Sequence, residues 1–306
     1  LMIDMSVDIG GLKLKNPVLV SSGTFGFGRE YSNFYDLNLL GAIAVKGITI
    51  KPRKGNKPPR IAETAAGILN SVGLENPGIY GFIEKELPFL KKYNVPVIAN
   101  ISGSTIEEYS IMAKELGSSV DAIELNVSCP NVKEGGIAFG TKPEMVYQVT
   151  NAVKKCCKTP LIVKLSPNVT DITEMALAAE RAGADCISLI NTIVGMKIDV
   201  ENRRPYFDNI VAGLSGPAVK PVALRMVWQI AQKIKVPIIG MGGISTWRDA
   251  VEFIMAGADA ISIGTANFCN PYAPIDVLKG IQSYMRENGL NNIEKIKING
   301  GVKSHE

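Results

Sequence analysis

"VPIIGMGGISTWRDAVEFIMAGADAISIGTA", residues 236–266, contains two short apolar runs separated by an amphipathic stretch. The runs "VPIIGMGG" and "DAISIGTA" are almost continuously apolar, which is typical of strands buried on both faces of a parallel sheet. Between them, Thr246 is a suitable N-cap for a helix, and Gly257 is a suitable residue to end it. The stretch therefore predicts a strand, a helix and a second, parallel strand.

The same unit recurs along the chain. Six further apolar runs come before it: "PVLVSSG" from Pro17, "AIAVKGITI" from Ala42, "VPVIANIS" from Val95, "DAIELNVS" from Asp121, "PLIVKLS" from Pro160 and "DCISLINT" from Asp185. Amphipathic stretches such as "TIEEYSIMAKELG" separate them. Eight strands alternating with helices predict an α/β fold, a closed (β/α)8 TIM barrel. An open doubly wound sheet is the alternative, but no G-x-G-x-x-G follows the first strand.

Three additions to the barrel are expected. "SVDIGGLKLKNP" predicts an N-terminal β-hairpin that turns at Gly10-Gly11 and covers the barrel floor. Loop insertions are expected at the C-terminal mouth, and the long one after the second strand contains Asn70. The polar residues from about 286 to 306 predict a C-terminal extension, either a tail or a partner-facing segment. No linker divides the chain, so we expect one domain over residues 1–306.

The composition excludes several classes of protein. Of 306 residues, 46% are hydrophobic, and 33 basic against 29 acidic residues give a net charge of only +4, which does not suggest nucleic-acid binding. No apolar run is long enough to span a bilayer, and no basic-then-apolar leader opens the chain. The five cysteines include no C-x-x-C. We therefore expect a reducing compartment, the cytoplasm, and no metal or iron–sulfur site in this chain.

Polar residues and glycines follow the predicted strands, and in a TIM barrel these strand ends converge on the active site. In chain order they are Ser21-Ser22-Gly23, Lys46-Gly47, Asn100, Asn126 to Cys129, Lys164, Asn191-Thr192, Gly242-Gly243 and Gly264-Thr265. The last two pairs follow strands seven and eight, the usual phosphate position, where glycine lets the backbone approach an anion. The alternative is that these glycines only make turns.

Lys46 and Lys164 each end an apolar strand, where a lysine is costly unless it faces an anion. The anion could be a phosphate or a reduced flavin. Each lysine could instead form a Schiff base, or its side chain could simply extend to the rim. Asn70, Asn126 and Asn191 offer both donors and acceptors, which suits a ring with alternating C=O and N–H groups. Asparagines also commonly cap loops, so each one alone is weak evidence.

Cys129 is the cysteine at a predicted strand end with polar neighbours, whereas Cys186 lies inside a strand. The one histidine, His305, is the penultimate residue and a poor candidate for a base at a barrel mouth. Proton transfer must then use a carboxylate, lysine, tyrosine or cysteine. A free thiol titrates near ~8.5, so modest tuning makes it a base. The alternative is that Cys129 only fills space in the core.

Several stretches together resemble class 1B dihydroorotate dehydrogenases, namely their catalytic subunit. They are "SSGTFGFGREY", "LNSVGLENPG", "NVSCPNVKEGGIAFG", "VKLSPNVTDI", "LINTIVGMKID", "AGLSGPAVKPVAL", "PIIGMGGI" and "AISIGTANF". The resemblance runs from the first strand to the eighth. It implies an FMN-containing (β/α)8 barrel that oxidises dihydroorotate to orotate in pyrimidine biosynthesis.

The resemblance also implies roles for residues. Cys129 would take the C5 proton while the C6 hydride passes to flavin N5, Lys164 would stabilise the reduced flavin, and Lys46 would contact flavin and substrate. The substrate would be held by Lys46, Asn70, Ser71, Val72, Gly73, Leu74, Asn126, Asn191 and Thr192. FMN would be held by Ser22, Lys46, Gly47, Asn100, Asn126, Lys164, Ile190, Gly216, Gly242, Gly243, Gly264 and Thr265. Val132 to Gly140 would form a mobile lid.

The subclass decides the electron acceptor. Cys129 in place of serine and the lack of a helical N-terminal extension differ from the membrane-bound class, and "KEGGIAFG" resembles 1B rather than the fumarate-using 1A class. Class 1B implies a homodimer within a heterotetramer, whose other subunit carries FAD and a [2Fe–2S] cluster and reduces NAD. The alternatives are a 1A enzyme, a dihydropyrimidine dehydrogenase-like barrel, a non-redox phosphate-binding aldolase or isomerase, and a non-catalytic flavin-binding protein.

Overall fold

The computed structural model describes residues 3–128 and 139–298. The strands in these ranges, in chain order, are β1 Val7–Asp8, β2 Lys13–Leu14, β3 Val18–Val20, β4 Ala42–Ala44, β5 Ile61–Thr64, β6 Gly67–Asn70, β7 Val97–Ile101, β8 Ala122–Asn126, β9 Leu161–Lys164, β10 Cys186–Leu189, β11 Ile193–Met196, β12 Ile198–Asp199, β13 Arg204–Pro205, β14 Val211–Ser215, β15 Ile238–Met241 and β16 Ala260–Ile263.

The α-helices of the described residues are α1 Ser22–Phe25, α2 Gly78–Gly81, α3 Leu87–Leu90, α4 Ile106–Leu116, α5 Pro143–Cys156, α6 Ile172–Arg181, α7 Lys220–Ala231, α8 Trp247–Met255, α9 Ala266–Cys269 and α10 Ala273–Glu287. A π-helical turn, Phe82–Glu86, joins α2 to α3. Short 3-10 helices lie at Tyr31–Asn33, Leu37–Leu39, Phe139–Thr141, Pro217–Val219 and Ile293–Ile296. Within the described residues, no helix has both the length and the apolar character needed to cross a bilayer.

Eight parallel strands close into a barrel in the order β3, β4, β7, β8, β9, β10, β15 and β16, which confirms the predicted TIM barrel. These are the eight apolar runs of the sequence, and every residue of each barrel strand is buried. Helices α4, α5, α6, α7 and α8 connect successive barrel strands, α10 follows the last strand, and these helices pack around the outside. The strand ends therefore meet at one mouth, as a closed parallel barrel requires.

The helix that the opening stretch predicted is α8, and its ends follow the sequence signals. Thr246 is its N-cap, and the Thr246 and Asp249 side chains form a reciprocal capping box. Gly257 follows the last turn with a φ of 112°, a conformation that favours glycine. Local sequence therefore fixes both ends of helix α8 between its two strands.

The predicted N-terminal hairpin consists of β1 and β2, which pair antiparallel. Gly10 and Gly11 turn with φ of 75° and 94°. A Cβ on Gly10 would lie 2.2 Å from the carbonyl oxygen of Asp185, the residue before β10. The hairpin thus packs against the N-terminal ends of the barrel strands, which is the barrel floor, and Gly10 permits that close approach.

The insertions at the mouth fold into more than loops. Strands β11, β14, β6 and β5 form an antiparallel sheet that joins the insertion after β4 to the insertion after β10. In this sheet Asn70 pairs with Gly213 and Leu69 with Leu214. A small apolar cluster of Ala62, Leu69, Phe207 and Ala212 supports it. The two insertions therefore stabilise each other beside the mouth.

The segment after α10 differs from the expected tail. Ile293 and Ile296 belong to the hydrophobic core and are 1% and 4% exposed. The Asp4 N–H donates to the Asn291 carbonyl at 2.9 Å, and the Ile293 N–H donates to the Asp4 carbonyl at 3.1 Å. Residues 288–298 of the expected C-terminal extension thus pack against the barrel, because two isoleucines spaced three apart bury one face of a 3-10 turn. Residues 299–306, with His305, lie outside the described residues.

Candidate active site

A cavity of about 520 Å³ opens at the C-terminal ends of the barrel strands, beside the insertion sheet. It brings together residues from all eight strand ends and from both insertions. The predicted residues that line it are Ser22, Lys46, Gly47, Asn70, Ser71, Val72, Gly73, Leu74, Asn100, Asn126, Lys164, Ile190, Asn191, Thr192, Gly242, Gly243, Gly264 and Thr265. The convergence that was expected of the strand ends is thus present in the fold.

Three predictions fall outside this lining. Cys129 lies outside the described residues, as do residues 132–138 of the predicted lid. The remaining part of the lid segment is buried in a 3-10 turn, where the Gly140 N–H donates to the Val127 carbonyl at 2.8 Å. Gly216 does not line the cavity. It lies behind the lining instead, because a Cβ there would be 2.6 Å from the Gly67 Cα, and its φ is 103°.

The backbone at Gly242 and Gly243 follows β15 with φ of 124° and 75°. A Cβ on Gly243 would lie 2.8 Å from the Gly216 carbonyl oxygen, so any larger residue would disturb this corner. Beside the neighbouring strand end the space is open: a Cβ on Gly23 would meet nothing within 4 Å, and one on Gly264 would first meet Ser21 Oγ at 3.5 Å. The arrangement leaves bare backbone next to free space, as an anion site needs.

Lys164 ends β9 and points into the cavity floor, where only 5% of the residue is exposed. Its Nζ lies 3.6 Å from Oε2 of Glu124 on the neighbouring strand β8. Glu124 was missed from the sequence because only strand ends were considered there. It stands two residues before Asn126, and in a strand such residues face the same side. Alternation along "DAIELN" was the signal that could have found it.

Lys46 follows β4 and is half-buried at the cavity wall. Burial lowers the pKa of its ammonium, the nearby Glu75 carboxylate opposes that change, and the Arg60 guanidinium adds to it. A cation that is partly removed from water favours an anionic ligand as partner.

The amide side chains at the strand ends form a connected network. Asn126 Nδ2 donates to Asn100 Oδ1 at 3.5 Å, a long contact, and Asn126 Oδ1 accepts from Asn191 Nδ2 at 3.3 Å. Ser128 Oγ also donates to Asn126 Oδ1, at 2.8 Å, and Asn191 Nδ2 contacts Ser128 Oγ as well. The Thr192 N–H donates to Asn191 Oδ1 at 2.8 Å. The network fixes the orientation of several amides that line one wall.

The segment from Asn70 to Leu74 crosses from the insertion sheet to the cavity rim. Asn70 Nδ2 donates to the Gly213 carbonyl at 3.2 Å, which ties β6 to β14. Leu74 adopts a φ of 55°, which is strained for a residue with a branched side chain, and its carbonyl accepts from Asn76 Nδ2 at 2.7 Å. Asn76 is 6% exposed and was missed from the sequence, where it reads as part of a loop.

The site fits a flavin mononucleotide by its own features. Its volume lies within the range of about 300–1,000 Å³ typical of ligand pockets. Open space beside the Gly23 and Gly264 backbone could take a phosphate, and the Lys164 ammonium could face an electron-rich ring. In the described residues, no group of three or more His, Cys, Asp or Glu side chains could hold a metal ion.

Comparisons with known proteins agree with this geometry. The family model described as "Dihydroorotate dehydrogenase" matches residues 4–285. A protein of Thermoanaerobacter pseudethanolicus named "Dihydroorotate dehydrogenase B (NAD(+)), catalytic subunit" is 59% identical over 98% of this chain and 99% of its own length. Proteins with the same name from Alkaliphilus metalliredigens and Geotalea uraniireducens are 59% and 53% identical, each over 96% of this chain and over 98% and 97% of their own lengths.

Proposed function

The chain belongs to the dihydroorotate dehydrogenase family, and from that premise we propose that it is an FMN-dependent dihydroorotate dehydrogenase acting in pyrimidine biosynthesis. It oxidises dihydroorotate to orotate. The observation that carries the proposal is the convergence of two lysines and a network of amides on one cavity, in a chain whose relatives match it from end to end.

FMN, when bound, accepts the hydride that leaves C6 of dihydroorotate. Lys164 supplies a buried positive charge for the isoalloxazine ring, and such fixed charges stabilise an anion best where water is excluded. The bare backbone at Gly243 and Gly264, with the side chain of Thr265, lines the cavity and would hold the phosphate of a bound FMN. The other residues assigned to FMN are Ser22, Lys46, Gly47, Asn100, Asn126, Ile190, Gly216 and Gly242.

The substrate lies against the wall formed by the amides and the rim segment. Asn70, Asn126 and Asn191 pair with the alternating C=O and N–H groups of the pyrimidine ring, with Ser71, Val72, Gly73, Leu74 and Thr192 around it. The Lys46 ammonium faces the substrate carboxylate. The lowered pKa of Lys46 supports this assignment to the substrate carboxylate, since an anionic ligand would stabilise the charge that burial disfavours.

Cys129 is the proposed base. Its thiolate would take the proton from C5 as the hydride leaves C6, so that the substrate loses two hydrogens and two electrons in all and gains the C5=C6 double bond. Cys129 lies outside the described residues, and the assignment rests on the sequence: it follows Ser128, whose side chain lines the cavity. The lid over this thiol, Val132 to Gly140, is proposed on the same basis.

The electrons then pass to NAD through a partner. The relatives are named catalytic subunits of an NAD(+) enzyme, which supports a second subunit. We assign FAD and a [2Fe–2S] cluster to that subunit, as the resemblance in sequence implies. We assign two such pairs to a heterotetramer built on a homodimer of this chain. A cytoplasmic location is supported by the free thiols of the described cysteines, since oxidising compartments favour disulfides. These cysteines are Cys156, Cys157, Cys186 and Cys269.

Anaerobic mixing of the purified, flavin-loaded chain with dihydroorotate tests the proposal. The flavin absorbance should bleach, and one orotate should form per flavin. Dihydrouracil, which lacks the carboxylate, serves as the control and should leave the absorbance unchanged. A colourless protein would favour a non-redox barrel, and a yellow protein that dihydroorotate does not bleach would favour a non-catalytic flavoprotein. Rapid reoxidation by fumarate would favour the 1A class.

A further inference from the structure

Glu124 is a buried acid beneath the cavity, and the proposed chemistry does not use it. It lies in the middle of β8 and is 2% exposed. Its Oε2 accepts a hydrogen bond from Asn100 Nδ2 at 2.5 Å and lies 3.6 Å from Lys164 Nζ. Its Oε1 accepts from Ser188 Oγ at 2.8 Å. Three barrel strands, β7, β9 and β10, thus each direct one polar side chain to this carboxylate.

The charge of Glu124 matters to Lys164. A buried ammonium without a counter-charge is strongly disfavoured, and breaking a buried pair by removing one partner is more damaging than replacing both. Glu124 is the acid within ion-pair distance of Lys164 in the described part of the chain. It therefore supplies the counter-charge of the lysine at the cavity floor.

The ionised carboxylate also fixes the direction of the amide network, because it can only accept hydrogen bonds. Asn100 must turn its Nδ2 towards Glu124, so its Oδ1 faces the cavity side, where it accepts from Asn126. Asn126 in turn presents its Oδ1 to Asn191. The Glu124 carboxylate thereby determines, for each asparagine of the network, which neighbour its Nδ2 donates to and which its Oδ1 accepts from.

We propose that Glu124 is a positioning residue of this site, whose carboxylate pairs with the Lys164 ammonium and, through Asn100, sets the orientation of the amides of Asn126 and Asn191. The consequence for flavin and substrate rests on the proposed function. The pairing itself concerns only side chains of this chain and can be measured without any ligand.

The first experiment is a double-mutant cycle in the FMN-free chain, measured by denaturant unfolding. Lys164→Met leaves the Glu124 carboxylate buried and unpaired, and should raise the unfolding equilibrium constant by about 100-fold or more. Adding Glu124→Gln to that variant should recover at least tenfold of the loss, roughly one unit of log K. Additive effects of the two changes would overturn the pairing.

The second experiment compares the midpoint potential of bound FMN in the unchanged chain and in Glu124→Gln at one pH. The variant lacks a buried negative charge beneath the cavity floor, and such a charge disfavours an anionic reduced flavin. The potential of the variant should therefore be higher by about 30 mV or more, which is tenfold for a two-electron couple. An unchanged potential would overturn the proposal.

Glu86→Gln is the matched control, since Glu86 is also ion-paired and mostly buried but lies outside the cavity lining. It should leave the midpoint potential of FMN unchanged. If Glu124 and Lys164 are coupled in the double-mutant cycle but the unchanged chain does not bind FMN, the proposed function would be overturned and the pairing supported.

The orientation of the amides needs a separate comparison. Glutamine can still accept from Asn100 while it donates to Ser188, whereas Glu124→Met leaves the Asn100 Nδ2 unpaired. Orotate affinity should therefore fall only a few-fold in Glu124→Gln but roughly tenfold or more in Glu124→Met. Equal orotate affinities in the two variants would show that Glu124 does not orient the amides.

Discussion

Lys46 carries a positive charge at a place where burial lowers its pKa from the usual 10.5. The lysine therefore loses its charge at lower pH than an exposed lysine does. An anionic ligand binds the ammonium form, so orotate affinity should decline as pH rises through the lowered pKa, before 10.5 is reached. Lys46→Met should bind orotate about 10- to 100-fold more weakly at neutral pH and without this decline.

Titration of the flavin spectrum with orotate at several pH values measures both effects. Lys297→Met is the control, since Lys297 pairs with Asp259 at the barrel floor. It should bind orotate as the unchanged chain does. Full orotate affinity in Lys46→Met would contradict the assignment of Lys46 to the substrate carboxylate.

Cys129 yields a second prediction at this scale. Cys129→Ala should retain FMN but reduce its flavin on the order of 10²–10⁴-fold more slowly, because the C5 proton has lost its acceptor. Cys129→Ser should also be slow and should recover partly as pH rises, since a hydroxyl is a far weaker acid than a thiol. Stopped-flow mixing with dihydroorotate measures the rates. Cys157→Ala, at the end of α5, should react at the normal rate; near-normal reduction in Cys129→Ala would exclude the cysteine as base.

Single residues could be predicted where their chemistry conflicts with their sequence neighbours. Lys164 stood out because it ends an apolar run, and the cavity contains it. Glu124 sits within such a run with equal conflict, yet its partners Asn100 and Ser188 lie 24 and 64 residues away. Alternation along the strand could place Glu124 on the same side as Asn126, but only the closed barrel brings its partners Asn100 and Ser188 next to it.

The insertion sheet illustrates the same limit for whole elements. The barrel strands were predictable because each is a local apolar run, and local caps fixed α8. Strands β6 and β14 are mixed in polarity and contain glycine, and their pairing joins residues 143 positions apart. No local pattern indicates such a pairing, so the sequence predicted insertions but not their shared sheet.

Gly213 gives a prediction for this sheet. A Cβ there would lie 2.3 Å from Thr192 Oγ1, so Gly213→Ala must displace Thr192 or the β14 backbone. We expect the KM for dihydroorotate to rise roughly tenfold, as for a lost substrate contact. The FMN content should stay normal, because the proposed phosphate site at Gly243 and Gly264 lies elsewhere in the cavity. Steady-state kinetics with a dye acceptor and flavin quantification check this. An unchanged KM would show that Thr192 does not contact the substrate.

The whole molecule is predicted to perform only half of the overall reaction. Purified alone, the flavin-loaded chain should be reduced by dihydroorotate and reoxidised rapidly by dyes, but only very slowly by NAD. Addition of an iron–sulfur flavoprotein subunit should restore NAD reduction, because that subunit supplies the carriers between FMN and NAD. Stopped-flow absorbance at the flavin and NADH bands follows both steps. Rapid NAD reduction by the chain alone would contradict this division of labour.

The contact between Asp4 and the Asn291–Ile293 segment has a practical consequence. It lies at the barrel floor with the N-terminal hairpin, whereas the cavity opens at the opposite end of the strands. A tether that attaches either segment to a bead or an electrode would therefore hold the barrel floor against that surface and direct the cavity mouth away from it. Immobilisation by this end leaves the mouth of the cavity accessible to substrate and electron acceptors.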